Sequence, residues 1–289
     1  MRVAVIGGAG QMGQWLVKYL KKQGHKLVIS DIHKEKASVV SKTLGVHLVE
    51  DNREAVRDVD LVIISVPVES IQKVISEVAV RMKAGSVLME VASIKGPIIE
   101  SLKALLEYDV HPLSVHPLFG PGAEKLENLK IAMIPVVDPK FEEVFIRDLF
   151  PEAEIIVVEA DKHDKTMAVV LSLPYFMNLI FASTIADEDI NFLKRLSGTT
   201  FTLQFLITEG LLSQDPQLHA SIHFNNPKAE FYLRRFLEQT EALASALLKK
   251  DEDSFRGIYD AARFSLRRDE EFSKAYKRMY ALLESLVDL

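Results

Sequence analysis

The sequence predicts an α/β fold with a doubly wound parallel sheet, followed by an all-α domain. Up to about residue 160, short apolar runs alternate with amphipathic helical stretches. This order produces right-handed crossovers and therefore a parallel sheet. From Asp161 onward only helical patterns occur. We therefore expect an α/β domain over residues 1–160 and a helical domain over residues 161–289.

The first strand and the turn after it are the strongest local signal. The strand is predicted over residues 3–6 (VAVI), an apolar run typical of a central strand buried on both faces. Gly8, Gly10 and Gly13 follow with the spacing G-x-G-x-x-G. In a dinucleotide-binding turn these glycines turn the chain, admit a pyrophosphate and let the next helix pack on the sheet. That helix, which starts near Met12, would bind phosphate at its N-terminus.

The second strand, predicted over residues 25–31, ends in Asp31 at the distance from the glycines where a ribose-binding acid is expected. A carboxylate there favours NAD, although His33 and Lys34 keep NADP open, and a solvated strand end or a helix N-cap is the alternative. The combination predicts a Rossmann-type domain. We expect it to bind the cofactor through Gly8, Gly10, Gln11, Met12, Gly13, Asp31, Val66 and Pro67.

The remaining elements follow in alternation. Further strands are predicted over residues 46–50, 60–67, 86–91, 109–115, 131–137 and 153–159. Helices of the first domain are predicted over residues 34–44, 52–59, 71–82, 98–106 and 141–150. In the second domain we expect helices over residues 165–186, 189–209, 217–224, 227–249, 251–266 and 270–286.

The composition narrows the classes of function. The 289 residues include 35 basic and 41 acidic side chains, a net charge of −6, without a basic block. We expect no nucleic-acid partner, because phosphate neutralisation needs clustered Lys and Arg. Cysteine is absent, which excludes disulfides, thiolate metal sites and cysteine nucleophiles, and we expect no metal. The N-terminus enters a strand without a signal peptide, so we expect a cytoplasmic protein.

One segment is long and apolar enough to cross a membrane. Residues 166–186 carry no charge, but they include Pro174 and Asn178, and the flanking charges show no orientation bias. A helix that is apolar all round is also typical of the centre of a helical domain or dimer. Several apolar residues between Phe201 and Leu212 add surface that a small helical domain cannot easily bury alone. We expect a homodimer through this domain, and no membrane insertion.

The candidate catalytic residues follow the fifth and sixth strands. His116 lies in residues 114–122 (SVHPLFGPG), at the carboxyl end of the sixth strand, where open α/β sheets bind their ligands. A neutral imidazole there can take a proton from a substrate hydroxyl near pH 7; a structural histidine that caps a loop is the alternative. Ser93 and Lys95 follow the fifth strand. We expect Lys95 to bind a carboxylate and Ser93 to contact the substrate or the nicotinamide region, with a helix N-cap as the alternative for Ser93.

These features resemble the prephenate/arogenate dehydrogenase family of tyrosine biosynthesis across essentially the whole chain. The resemblance implies NAD(P)-dependent oxidative decarboxylation of prephenate to 4-hydroxyphenylpyruvate, with arogenate as the alternative substrate. It also implies that His116 receives the C4 hydroxyl proton as hydride passes to NAD, that Ser93 and Lys95 form an active-site loop, and that the helical domain dimerises. The matching motifs are the glycine turn at 8–13, SIKG at 93–96, HPLFGP at 116–121, HD at 163–164 and SQDPQL at 213–218.

Three positions depart from the family pattern. Gly210 stands where the family places an arginine that pairs with a substrate carboxylate, Tyr175 replaces a histidine, and His219 stands where relatives carry tyrosine. Because a bidentate arginine is not easily replaced, we expect another cation to bind the carboxylate, or a variant substrate. The candidate cations are Lys95, Arg195 and Arg263. We expect Tyr175 and His219 to contact the substrate.

Two other classes remain open. A different dehydrogenase of similar build, such as a β-hydroxyacid or imine reductase, normally lacks the HPLFGP loop. A non-catalytic dinucleotide-binding relative is compatible with the departures at Gly210 and Tyr175. Turnover with NAD and prephenate separates an enzyme from such a relative.

Overall fold

The structure is a computed structural model of the chain and describes residues 1–285. It divides into two compact units. Unit 1 contains residues 1–168 and 220–227, and unit 2 contains residues 169–219 and the described residues from 228 onward. The division therefore falls after Ala168, beyond the boundary predicted at residue 160. Residues 220–227, which the sequence pattern assigns to the helical domain, belong to unit 1.

Unit 1 is built on an eight-stranded sheet with the strand order β3-β2-β1-β4-β5-β6-β7-β8. The order reverses between β1 and β4, which is where ligands bind in this class of sheet. Residues 3–6 of the first of these strands and all of the second are apolar and almost completely buried, as their runs of Val, Ile and Leu predict. The strands are β1 (Arg2–Ile6), β2 (Lys26–Ser30), β3 (His47–Leu48), β4 (Leu61–Ile64), β5 (Val87–Glu90), β6 (His111–Pro117), β7 (Lys130–Ile134) and β8 (Glu154–Val157).

One strand pair departs from the predicted parallel sheet. β7 runs antiparallel to β6, with Ser114 opposite Ile134 and Pro117 opposite Ile131. Residues 118–129 between them contain no helix. Because a parallel neighbour requires a long crossover, this short connection returns the chain in the opposite direction. The other neighbouring strands pair in parallel, so the Rossmann-type prediction is confirmed.

Helices join the strands of unit 1 and supply much of its core. Helix α1 buries Trp15, Leu16 and Leu20 in the cluster that also contains Val3 and Val5 of β1. The predicted helix over 52–59 stops earlier, and the predicted strand over 46–50 shrinks to two residues. The helices are α1 (Gln11–Lys22), α2 (Lys34–Leu44), α3 (Asn52–Ala55), α4 (Val68–Val78), α5 (Ile99–Lys103), α6 (Pro139–Leu149) and α7 (Ala160–Met167).

The rest of the described chain, up to residue 285, is helical, as predicted. The predicted helix over 189–209 is two helices, because Gly198 adopts an extended conformation and forms the N-cap of the second. The last predicted helix, 270–286, ends at a position outside the described residues. The helices are α8 (Leu173–Thr184), α9 (Ile190–Leu196), α10 (Thr199–Leu212), α11 (Pro216–Asn225), α12 (Ala229–Lys249), α13 (Glu252–Leu266) and α14 (Ala275–Ser285), and α11 enters unit 1 at residue 220.

The long apolar segment forms one continuous helix over Ala160–Thr184. A π-helical stretch at Ala168–Ser172 lies within it, just before Pro174, which has no N–H to donate to the preceding turn. By length and composition the helix is able to cross a membrane, and only 22% of its apolar window is buried within the chain. Val170 and Leu179 are more than half exposed. The single chain therefore leaves most of this helix uncovered.

Close packing at Gly13 gives a test of the glycine turn. A methyl group at Gly13 would lie 2.2 Å from the carbonyl oxygen of Gly7 and 2.9 Å from Cα of Gly8. Because both are backbone atoms, helix α1 must move, and we expect Gly13→Ala to lower the free energy of unfolding by about 1–3 kcal/mol.

The matched control for this change is Gly257→Ala in the exposed middle of α13, where a methyl group meets nothing within 4 Å. We expect it to raise the free energy of unfolding by about 0.5–1 kcal/mol, because alanine favours helix. Urea unfolding measures both variants. Equal stability changes in the two would contradict the packing argument.

Candidate active site

The predicted cofactor residues gather where β1, β2 and β4 end. The N–H groups of Gly7 and Gly8 donate to the carbonyl of Ser30, at 2.8 and 3.2 Å, which ties the glycine turn to β2. Gly7, which the motif does not include, has φ +80°, and a side chain there would lie 2.9 Å from Cγ1 of Val66. The end of β4 therefore lies against the turn, with exposed Pro67 following.

The N-terminus of α1 faces this turn and has the properties of an anion site. Gly10 is the N-cap residue, no side chain caps the helix, and its first turn, which begins with Gln11 and Met12, contains no acidic residue. Free N–H groups and the helix dipole favour a negatively charged ligand at such a terminus. The absence of a Cβ at Gly10 also leaves the backbone accessible. These features fit the pyrophosphate of a dinucleotide.

Asp31 lies directly after β2 and faces the glycine turn. Its Oδ2 accepts a hydrogen bond from the N–H of Ala9 at 3.0 Å, and its Oδ1 accepts from the N–H of His33 at 2.9 Å. His33 is the N-cap residue of α2, so Asp31 does not cap that helix. The half-buried carboxylate is thus held at the end of the turn where a ribose diol is expected.

His116 lies in β6 and is only 7% exposed. Its Nδ1 is 3.0 Å from Nε2 of His163, and Nδ1 of His163 is 2.8 Å from Oδ1 of Asp164. The carboxylate of Asp164 also accepts the N–H groups of Lys95, at 3.0 Å, and Gly96, at 2.7 Å. The structure therefore brings the loop after β5 and the start of α7 to the side of His116.

The surroundings of His116 keep its imidazole neutral. Burial, the positive charge of Lys95 and the neighbouring His163 together lower the pKa of His116 well below its usual value of 6.5. A base must be unprotonated before it takes a proton. At pH 7 the imidazole of His116 is therefore in the state that accepts one.

Lys95 does not lie where the sequence prediction placed it. Its side chain is fully buried, and Nζ donates to Oε1 of Glu90 and to the carbonyl of Val115, each at 2.6 Å. Glu90 also accepts the N–H of Ala92 and the hydroxyl of Ser114. Burial lowers the pKa of Lys95, while Glu90 acts in the opposite direction. The ammonium is held in the interior of unit 1, so it does not face the crevice to bind a substrate carboxylate.

Ser93 occupies the same loop but is half-buried. Helix α5 begins at Ile99 after Ile98, so Ser93 is not its N-cap residue. Within residues 1–285 the Ser93 hydroxyl has no protein hydrogen-bond partner. It is therefore free to bind a ligand.

Tyr175 and His219 lie together in unit 2. Their ring centroids are 4.2 Å apart, with 35° between the planes. Burial raises the pKa of Tyr175 and lowers that of His219, and Nε2 of His219 is buried without a partner in the described chain. On α10, Gly210 is exposed, and a side chain at this position would meet nothing within 4 Å.

Arg195 on α9 and Arg263 on α13 are both exposed. With the ammonium of Lys95 buried, these are the remaining cations among those proposed from the sequence.

Three contact residues of this region were not predicted from the sequence as site residues. Glu90 is an acid at the end of an otherwise apolar strand, a pattern that indicates a buried partner. His163 and Asp164 were recognised only as a matching motif, and the domain boundary predicted at residue 160 separated them from His116. Their contacts with residues 95, 96 and 116 join parts of the chain that are distant in sequence.

Comparison with known proteins decides the family. A model described as prephenate dehydrogenase, nucleotide-binding domain, matches residues 16–132, and a model described as prephenate dehydrogenase, dimerization domain, matches residues 159–260. The chain belongs to the prephenate dehydrogenase family. The resemblance seen in the sequence motifs is thereby confirmed, with one family model on each side of residue 150.

Relatives within this family match most of the chain. A probable arogenate/prephenate dehydrogenase of Methanocaldococcus jannaschii is 28% identical over 268 residues, which is 91% of this chain and 60% of that protein. A probable prephenate dehydrogenase [NADP(+)] of Schizosaccharomyces pombe is 24% identical over 91% of this chain and 62% of its own length. The chain thus spans about three-fifths of these two curated relatives.

A solved structure supports the fold. The crystal structure of prephenate dehydrogenase from Aquifex aeolicus, in complex with hydroxyphenyl propionate and NAD+, gives a TM-score of 0.72 at 18% identity. The match covers 93% of this chain and 98% of that one. The family's Rossmann-type sheet and helical part are therefore both present here.

The buried pair of Lys95 and Glu90 predicts an unusual stability effect. We expect Lys95→Met to lower the free energy of unfolding by about 3–5 kcal/mol, because it leaves a buried carboxylate without its partner. The double variant Lys95→Met/Glu90→Gln removes that unpaired charge. We therefore expect it to be more stable than the single variant, as measured by urea unfolding.

Lys103→Met is the control, since Lys103 pairs with Glu100 at 2.8 Å on the surface. Exposed pairs of this kind contribute at most about 1 kcal/mol. A loss in Lys95→Met no larger than that in Lys103→Met would contradict a buried charged pair.

Proposed function

We propose that this chain is an NAD(P)-dependent dehydrogenase that converts prephenate to 4-hydroxyphenylpyruvate by oxidative decarboxylation, a step of tyrosine biosynthesis. The main support for the proposal is that the imidazole of His116 is buried and neutral in β6 of a Rossmann-type unit. Family membership supports it, as do relatives named arogenate/prephenate and prephenate dehydrogenases. Family membership also disfavours the alternatives of an imine reductase or a β-hydroxyacid dehydrogenase. Arogenate is the alternative substrate.

The glycine turn, the N-terminus of α1, Asp31 and the end of β4 would hold the dinucleotide. When bound, the oxidised nicotinamide accepts the hydride that leaves C4 of the substrate ring. Asp31 favours NAD, and the fission-yeast relative is named for NADP(+). We therefore keep both cofactors in the proposal, with NAD preferred.

His116 supplies the proton chemistry of the proposed reaction. Its imidazole accepts the proton of the C4 hydroxyl, and the O–H electron pair forms a carbonyl at C4 as hydride departs. The bond between C1 and its carboxylate then breaks, CO2 leaves, and the bonding electrons complete the aromatic ring. The resulting phenolate takes a proton to give the phenol. The substrate has then lost one hydride and CO2, because the proton taken from the C4 hydroxyl is balanced by the proton that the phenolate gains.

Different observations support the other residues that we propose to bind the substrate. The unpaired hydroxyl of Ser93 suits a hydrogen bond to the substrate or to the nicotinamide region. The ring contact between Tyr175 and His219 suits a common role in substrate binding. For the substrate carboxylate, Arg195 and Arg263 are the proposed cations. Lys95 is not, because its ammonium is already paired with Glu90.

Turnover is the direct test of this function. The full chain is assayed with prephenate and with arogenate, each with NAD and with NADP, by the absorbance of the reduced cofactor and by CO2 release. We expect NAD and prephenate to give equal amounts of reduced cofactor, CO2 and 4-hydroxyphenylpyruvate. Preference for arogenate would select the alternative substrate. No turnover in any of the four assays would contradict the proposal and favour a non-catalytic relative.

We also propose that the enzyme is a cytoplasmic homodimer that assembles through its helical part. A family model described as a dimerization domain matches residues 159–260, and large apolar side chains such as Leu196 and Leu248 are mostly exposed in the single chain. Sedimentation at micromolar concentration is expected to give twice the chain mass of 32.5 kDa, about 65 kDa. A monodisperse monomer would contradict the dimer, and solubility only in detergent would favour the membrane alternative.

Replacing the proposed base tests its role. We expect His116→Asn to lower kcat by about 10²–10⁴-fold, because the amide keeps a hydrogen bond but accepts no proton. Binding of NAD is expected to change little, since His116 is not among the proposed cofactor ligands. His111→Asn at the amino end of the same strand is the control and is expected to keep its activity.

The pH profile of kcat/KM gives an independent measure of the same role. Below its pKa, His116 is protonated and cannot accept a proton, so activity falls as the pH falls. Because the pKa of His116 is lowered, we expect the acidic limb to lie below pH 6.5 and to disappear in His116→Asn. A variant that keeps this limb, or a near-normal kcat, would show that another group is the base.

A further inference from the structure

Asp164, His163 and His116 form a buried row of hydrogen-bonding groups. Oδ1 of Asp164 is 2.8 Å from Nδ1 of His163, and Nε2 of His163 is 3.0 Å from Nδ1 of His116. His163 and Asp164 are 1% and 3% exposed, so water is not available to replace these contacts. Both ring nitrogens of His163 and Nδ1 of His116 must therefore find their donor or acceptor in the neighbouring residue.

The direction of each hydrogen bond follows from the carboxylate. Asp164 accepts N–H groups from Lys95 and Gly96, so it acts as an acceptor and takes a third hydrogen from Nδ1 of His163. With a single hydrogen on His163, bound to Nδ1, its Nε2 has only a lone pair to offer. Nδ1 of His116 must then carry the hydrogen that lies between the two rings.

We propose that Asp164 and His163 are positioning residues that fix the tautomer of His116, so that its Nε2 is the atom that accepts the substrate proton. The inference deepens the proposed function and rests on it for the role of His116. After the proton is taken, the imidazolium of His116 donates through Nδ1 to His163, with the Asp164 carboxylate behind. That carboxylate offsets the new positive charge.

The charged and titratable groups around His116 have opposing effects. From the loop after β5, the ammonium of Lys95 opposes protonation of His116, and Glu90 of β5 is paired with that ammonium. From α7, His163 accepts the hydrogen on Nδ1 of His116, and the Asp164 carboxylate provides the negative charge that favours protonation of His116. The free imidazole is thus kept neutral, while the charge that forms during the reaction has a carboxylate two hydrogen bonds away.

Several contacts hold Asp164 in place for this role. A methyl group at Gly96 would lie 3.2 Å from Oδ2 of Asp164, so glycine lets the backbone N–H approach the carboxylate closely. Nδ2 of Asn226 donates to the main-chain carbonyl of Asp164 at 2.8 Å. The backbone N–H groups of Lys95 and Gly96 thus hold the carboxylate of Asp164, while Asn226 holds its main chain.

Nitrogen-15 NMR of the histidines in the full chain, without ligand, tests the tautomer directly. We expect His116 to carry its hydrogen on Nδ1 at pH 7, whereas a free imidazole in water favours Nε2. In Asp164→Asn the new amide donates to Nδ1 of His163, which reverses both bonds and moves the hydrogen of His116 to Nε2. The same change is expected to lower kcat by about 10²–10⁴-fold with little change in KM.

Two further variants separate this role from a merely structural one. His163→Gln offers a carbonyl oxygen to Nδ1 of His116, so we expect it to keep the tautomer and to lose much less activity than Asp164→Asn. Glu159→Gln removes an exposed acid just before α7 and is expected to change neither measurement.

A hydrogen on Nε2 of His116 in the unaltered chain would overturn the inference, whether or not Asp164→Asn folds. An unchanged tautomer in a folded Asp164→Asn variant would also overturn it. The NMR result is independent of turnover. A correct tautomer in a chain that oxidises neither prephenate nor arogenate would therefore contradict the proposed function and leave the tautomer assignment standing.

Discussion

Three hydrogen-bond donors converge on the buried carboxylate of Asp164, and the geometry around His116 depends on them. Two come from the backbone of Lys95 and Gly96, and one comes from Nδ1 of His163. They join the loop after β5, the start of α7 and, through His163, strand β6. A carboxylate buried with three donors costs far less than one left unpaired, so the same contacts stabilise the fold and orient the proposed base.

A second buried charge, the Lys95 ammonium, complements this arrangement. It is held by Glu90 and by the carbonyl of Val115, the residue directly before His116. Its positive charge contributes to the lowered pKa of His116, which keeps the imidazole neutral before the reaction. The charge of Lys95 and the contacts of Asp164 therefore act on the same side chain in different ways: one sets its protonation, and the other sets which nitrogen is free.

The sequence predicted those parts of the site whose positions depend on the order of the strands and on the glycine turn. The glycine turn, Asp31 and His116 all lie at the carboxyl ends of strands that run in parallel, so their placement at one edge of the sheet followed from the alternating pattern. Side-chain direction did not follow: Lys95 leaves the expected strand but turns inward to Glu90. The pairing of Asp164 with the loop at Lys95 was missed because it joins distant parts of the chain. The antiparallel direction of β7 depends on the short connection before it, and the break between α9 and α10 depends on Gly198. The hydrophobic pattern of the sequence contains no signal for either feature.

In the proposed arrangement, Asp164 affects the reaction only through His116. A double-mutant cycle on kcat tests it most directly, because residues that act as a unit have strongly non-additive effects. With His116→Asn already in place, no tautomer remains to be fixed, so adding Asp164→Asn is expected to leave kcat unchanged. If the two losses instead multiply, Asp164 acts independently of His116 and the claim is wrong.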